Sequence, residues 1–262
     1  MEPARAPKAL TTQRALAFAL ALPITVSCAT PPPATSGASV QVPNSIDAGP
    51  ATRVRPYPFR SEASGVEAAR VAKMLATNAP LKWNDVPPGR SARYGRAAIV
   101  IRASREEVLA RVTDFGKYKA FAPNKFKASR VTDKSAEGTN VYLQLPIMNG
   151  VVTLWTEALF SPPTRVSDDE EFVEGTLIQG NMKDFHVVWT VRTVPDGASK
   201  VTELRCDLLV TPHVPAPEDK VDEELRDAAE QAIVAIRKSA EEGAVHTAGQ
   251  AGRPSASLRL PQ

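Results

Sequence analysis

Cysteine, histidine and aromatic residues are scarce in this 262-residue chain, which has two Cys, three His and 6% Phe, Trp and Tyr together. Cys28 and Cys206 alone cannot build a disulfide-rich scaffold or a cysteine zinc site. His186, His213 and His246 show no H-x-x-x-H or similar spacing, so no metal is expected. No Gly-rich phosphate loop and no Gly-x-Ser-x-Gly elbow occurs, and no cofactor is expected. Net charge is only +3, too little for a nucleic-acid binder that works by neutralising phosphates. No apolar run reaches the roughly 20 residues of a bilayer span. With 43% hydrophobic and 23% charged residues, the composition excludes a multispanning membrane protein and a fully disordered chain. The length fits one or two domains.

Proline is in excess, at 23 residues, and it marks the linkers. At the N-terminus Arg5, Lys8 and Arg14 precede an apolar run from Ala15 to Val26. That pattern is a signal-peptide core, too short for a transmembrane helix. The run ends in Ile24-Thr25-Val26-Ser27-Cys28, which resembles the bacterial lipobox, with Thr25 where an aliphatic is usual. The resemblance implies cleavage before Cys28 and lipidation of that cysteine. Ordinary secretion is the alternative. Loss of residues 1–27 removes Arg5, Lys8, Arg14 and Glu2, so the net charge falls from +3 to +1. Ala29 rather than Asp follows the cysteine, which favours the outer membrane, facing the periplasm. Residues 28–58 read as a tether: seven prolines lie between 29 and 58, among small and polar residues that bury too little to offset ordering entropy.

Residues 59–90 read as an N-terminal helix and a linker. Ser64 to Glu67 fits a capping box, Val71, Met74 and Leu75 share a helical face, and Pro80, Pro87, Pro88 and Gly89 then break the chain. From 91 to 242 the signal is dense. Ala97, Ile99 and Ile101 alternate along a strand, and Ser104 to Glu107 is a second capping box, before Val108, Leu109 and Val112. A short helix or turn covers Phe115 to Pro123. Six strands are then expected: 126–132, 141–147, 152–160, 165–173, 185–192 and 202–210. Asn149-Gly150 and Pro195-Asp196-Gly197 supply turns. The alternation predicts an antiparallel sheet with one buried face, and Glu203, Arg205 and Asp207 are expected to face water. A helix over 218–242 carries Val221, Leu225, Ala228, Ala232, Ile233 and Ile236 on one stripe, with Gly243 placed to cap it. Residues 243–262 read as a disordered tail.

One strand, two short helices, six strands and a long C-terminal helix resemble the helix-grip fold of the START and polyketide-cyclase superfamily, SRPBCC. Ile99 to Val108 (IVIRASREEV) resembles its opening strand and first helix. Asp114 to Pro123 (DFGKYKAFAP) resembles its D-f-x-x-y-x-x-w-x-P turn, with Phe121 where Trp is commoner. Trp189, Gly197, Lys200-Val201-Thr202 and the final helix resemble its close, so the resemblance spans about 92–242. It implies an α+β fold: an antiparallel sheet wrapped around a long C-terminal helix, with a cavity between them for lipids, sterols, quinones or polyketides.

The site residues must be argued separately, because fold alone does not fix function. Leu143, Leu154, Phe160, Phe185, Trp189, Leu204 and Leu208 are expected to line the sheet side. Leu225, Ile233 and Ile236 are expected to line the helix side, in a mostly apolar pocket suited to an apolar ligand. No catalytic residue is expected. Cys206 reads as a small buried hydrophobe, the histidines as surface residues, and Asp168 to Glu171 as a solvated strand end. Lys117, Lys119, Lys125 and Lys127 would lie by the cavity mouth, where they could meet anionic headgroups. Three functions fit the pattern: envelope-anchored binding or transport of a hydrophobic small molecule, a cyclase or hydrolase of polyketide-like substrates, and a ligand-free interaction module.

Overall fold

The computed structural model describes residues 56–59, 64–147, 150, 152–213 and 217–251. The export signal, Cys28 and the tether as far as residue 55 lie outside them, as do Asn149 and residues 252–262. The elements are α1 (Ser64–Thr77), β1 (Leu81–Asp85), β2 (Tyr94–Ile101), α2 (Arg105–Val112) and a 3-10 turn (Phe115–Lys117). After these come α3 (Tyr118–Phe121), β3 (Ala128–Lys134), β4 (Thr139–Ile147), β5 (Val152–Phe160) and β6 (Thr164–Ser167). The chain continues through β7 (Glu170–Gly180), β8 (Met182–Asp196), β9 (Ser199–Pro212) and α4 (Glu218–Ala251).

The nine strands form one antiparallel sheet in the order β1-β2-β9-β8-β7-β5-β4-β3, with β6 hydrogen-bonded to β7. The inner face packs on α4 and α2 around one apolar cluster. This is the helix-grip arrangement. Alternation is the local cause: on β8, Phe185, Val187, Trp189 and Val191 all point into that cluster. Leu225, Ala229, Ile233, Ile236 and Ala240 repeat every three or four residues, which gives α4 a narrow buried stripe. Gly95 sets how closely the helix approaches. A Cβ there would overlap the main-chain carbonyl carbon of Leu225, so only glycine lets α4 cross β2 at this point.

The α2 capping box forms as its sequence implies. The Ser104 hydroxyl accepts from the Glu107 amide, and the Glu107 carboxylate accepts from the Ser104 amide at 2.9 Å. The other expected box joins Glu67 to Ser64, whose side chain lies outside the described ones. Glu67 lies further along α1 and turns its carboxylate to Arg192 and Arg205.

Several boundaries shift for identifiable reasons. The proline-flanked stretch after α1 contains β1, which pairs with β2 from Leu81↔Ala98 to Asp85↔Tyr94. The expected strand 165–173 is two strands, β6 and β7, joined through Asp168 and Asp169. The expected tether ends before Tyr57, because Tyr57 and Phe59 pack on the sheet. Helix α4 runs through Gly243 to Ala251 instead of stopping there: one glycine costs a helix only about 1 kcal/mol.

The largest correction concerns the outer face of the sheet, expected to be wet. Strand β2 is buried on both sides: Ala97, Ile99 and Ile101 inward, Ala98 and Val100 under Met74 of α1. Glu203, Arg205 and Asp207 do not face water. Residues 56–59 and α1 cover that half of the face, and the three residues are at most 6% exposed.

Candidate functional site

Nine of the ten expected lining residues are buried: Leu143, Leu154, Phe160, Phe185, Trp189, Leu204, Leu225, Ile233 and Ile236. Leu208 is half-buried against the same cluster as most of them. Leu225 stands apart, over Gly95 where α4 crosses β2. The inner core also takes residues outside the ten expected to line it. Phe115 and Tyr118 close it from the α2–α3 side, and Phe115 lies with its ring centroid 4.4 Å from that of Phe160. Their signal was present in the D-F-x-x-Y order of the turn. Val173 and Cys206 complete the floor, on either side of Trp189 in the β7–β8–β9 ladder. At Gly175 an added Cβ would meet the Phe160 ring at 2.7 Å, so that glycine makes room for the aromatic.

Polar groups on the inner face are few, and most bond to the main chain. The Tyr118 hydroxyl donates to the Val112 carbonyl at 2.5 Å. Ser129 donates to the Phe115 carbonyl and Thr202 to the Ala103 carbonyl. Thr156 donates to the Gln179 carbonyl at 3.5 Å. Burial pushes the Tyr118 phenol and the Cys206 thiol well above their ordinary pKa values, so both stay neutral near pH 7. The inner face can therefore solvate an apolar molecule but offers little to stabilise a charge.

The outer face of the same strands is charged and closed. Asp207 accepts from Arg96 Nε at 2.5 Å and from Arg205 Nε at 3.1 Å. Glu203 accepts from Arg192, and Glu67 joins Arg192 to Arg205. Arg96 also bonds Asp85 of β1. Tyr57 reaches the network through Arg205 and Thr190. His186 is not a surface histidine. It is 7% exposed, 2.7 Å from both Glu174 and the Tyr94 hydroxyl, with Phe59 edge-on to its ring. Burial, the largest cause, pushes the Tyr94 phenol up to about 12.

The remaining candidates are peripheral. His213 is exposed, and the side chain of His246 lies outside the described ones. Asp168 is exposed as expected, whereas burial raises the pKa of Glu170. Lys117 pairs with Asp114, and Lys127 bonds the Thr153 hydroxyl. Among the described residues no three His, Cys, Asp or Glu side chains converge to hold a metal ion. None of the described helices is long and apolar enough to cross a membrane.

Among solved structures, the chain is similar to a START superfamily protein from Mycobacterium smegmatis, at 18% identity. That match covers 56% of this chain and 96% of the other, with a TM-score of 0.43. A STAR-related lipid transfer protein from Xanthomonas axonopodis matches at 13% identity over 61% of this chain and 98% of that one, with a TM-score of 0.49. Human StAR-related lipid transfer protein 5 matches at 11% identity over 69% and 97%, with a TM-score of 0.47. No curated protein matches the chain significantly. The model of one family, described as polyketide cyclase / dehydrase and lipid transport, matches residues 101–237. That stretch runs from the end of β2 through α2 and the remaining sheet to the buried stripe of α4, just over half of the chain, and on it the chain belongs to the polyketide cyclase / dehydrase and lipid transport family.

Proposed function

We propose that this protein binds and carries a hydrophobic small molecule between the inner face of its sheet and α4. The observation that carries the reading is the segregation of polarity across one sheet. The inner face is apolar and its titratable groups Tyr118 and Cys206 are neutral, while the ionic groups of the central strands lie on the outer face. A site of that kind suits a lipid, a quinone or a polyketide-like molecule. Seven of the ten proposed lining residues belong to the inner face, with Leu208 at its less buried end; Ile233 and Ile236 lie opposite on α4, and Leu225 lies apart from them on the same helix. Membership of a family described in part by lipid transport supports the same reading.

The basic start, the short apolar run and Cys28 support export and lipid anchoring in a bacterial envelope, with the domain held off the outer membrane on a proline-rich tether. Labelling a bacterial host with a palmitate analogue tests the anchor: wild type incorporates the label and Cys28→Ala does not. Equal labelling, or none, overturns it.

Native mass spectrometry of the purified chain, followed by organic extraction, tests the carrier. The expected result is a bound apolar molecule that is lost in Leu208→Asp, with the far-UV circular dichroism unchanged. A protein that is empty and also takes up no fluorescent fatty acid or sterol overturns the carrier and favours a closed interaction module.

A further inference from the structure

We propose that the Trp189 indole N–H is a hydrogen-bond donor to the ligand on the inner face of the sheet, selecting an uncharged molecule with a carbonyl-type oxygen: a ketone, quinone or ester. This rests on the carrier reading and adds the chemistry of the ligand's polar end.

Trp189 sits mid-strand on β8 with 4% of its surface exposed. Its Nε1 is fully buried and has no hydrogen-bond acceptor among the described residues. An indole N–H is a donor only, and in buried tryptophans it usually finds an acceptor. A donor left without one in an apolar surround costs stability. The other inner-face hydroxyls cannot take the same part. Those of Tyr118, Ser129, Thr156 and Thr202 already donate to main-chain carbonyls. Trp189 is also centrally placed, opposite Val173 and Cys206 in the ladder, with its ring 6.3 Å from that of Tyr118. A ligand seated against the inner face would bring its polar end to this donor.

Charge narrows the class. Tyr118 and Cys206 stay protonated, and the arginines of the central strands are bonded to carboxylates on the far side of the sheet. A carboxylate ligand at Trp189 would be desolvated without a counter-ion, which is expensive. A neutral carbonyl oxygen needs only the one donor.

The test uses the mature chain carrying Cys28→Ala and three probes of matched size: 2-acetylnaphthalene, 2-ethylnaphthalene and 2-naphthoate. The ketone is expected to bind more tightly than the hydrocarbon. The ratio of their dissociation constants should fall about three- to tenfold in Trp189→Phe, which keeps an aromatic ring but removes the donor. Comparing ratios between wild type and variant cancels the hydration of the probes themselves. Naphthoate should bind most weakly. A ratio unchanged by Trp189→Phe, or preferred binding of naphthoate, overturns the donor assignment and leaves the carrier standing. Failure of both neutral probes to bind wild type overturns the carrier, and the assignment with it. If Trp189→Phe does not fold, the wild-type indole 15N–1H signals decide. The Trp189 signal, identified by elimination in Trp83→Phe and Trp155→Phe, should move downfield with the ketone and not with the hydrocarbon. No difference between the two overturns the assignment.

Discussion

On the inner side of β8, Phe185, Val187, Trp189 and Val191 enter the cluster shared with α2 and α4; on the outer side of the same strand, His186, Thr190 and Arg192 meet Phe59, Tyr57 and Glu67. Both sides exclude water, by opposite means. The inner side gains from the transfer of apolar surface, which is non-directional and tolerates a change of neighbour. The outer side depends on hydrogen-bonded ion pairs, whose charges are costly to bury unless every partner is in place. The inner side can therefore exchange side-chain contacts for a ligand's. The outer side cannot lose a partner cheaply, and it holds β1, β2, β8, β9, α1 and the 56–59 segment in one arrangement. The cover for the outer side comes from residues before 101, outside the stretch that the family model matches.

The sharpest way to break this contrast is to remove one charge. Asp207→Asn should weaken the hold on both Arg96 and Arg205 and cost about 3–5 kcal/mol in urea unfolding. A loss under about 1 kcal/mol would mean that water or relaxation replaces the pair, and that the outer side is an ordinary surface. On the inner side, Ile233→Ala should cost about 2–5 kcal/mol, toward the low end if an apolar ligand or the helix can fill the space. Adding an apolar ligand should recover part of that loss, whereas it should leave the Asp207→Asn deficit unchanged. Tyr57→Phe removes the hydroxyl that bonds Thr190 and Arg205 but keeps the ring, and should cost about 1 kcal/mol. No change in midpoint would show that the 56–59 segment is held by its rings alone.

The smallest effect should have the opposite sign. Burial raises the carboxyl pKa of Glu170 above its ordinary value of 4.5, so the folded state holds the proton to higher pH than the unfolded state. Stability therefore falls as pH rises from 4.5 through the folded value. Glu170→Gln should raise the melting temperature slightly at pH 7, with the gain vanishing below pH 4.5. A gain that is the same at both pH values would point to packing rather than ionisation.

The inner half of this contrast was legible residue by residue. Period-two alternation placed Leu143, Leu154, Phe160, Phe185, Trp189 and Leu204 on one face, and period 3.6 placed Ile233 and Ile236 opposite them. The same alternation placed Glu203, Arg205 and Asp207 correctly on the other face but read that face as wet. Period two says which residues share a side; it carries no information about what covers that side. One signal was available. Arg192 stands directly opposite Glu203, and Arg96 directly opposite Asp207, so complementary charges pair across the strands once the register is known. Gly95 shows the same limit: a glycine inside a strand hints at close approach without naming Leu225 as the neighbour.

The sequence by itself determined the apolar inner face and the α2 cap, because alternation, helical periodicity and capping are local and survive without knowledge of distant partners; the helix-grip fold was legible through the family resemblance of its motifs and element order. Only the tertiary structure decided that the outer face is closed. It alone buried His186 beside Tyr94 and Glu174, and left the Trp189 N–H without an acceptor among the described residues. Each of these depends on which residues, a hundred or more positions apart in several cases, arrive at the same place, and a buried polar group is defined by its neighbours rather than by its own side chain.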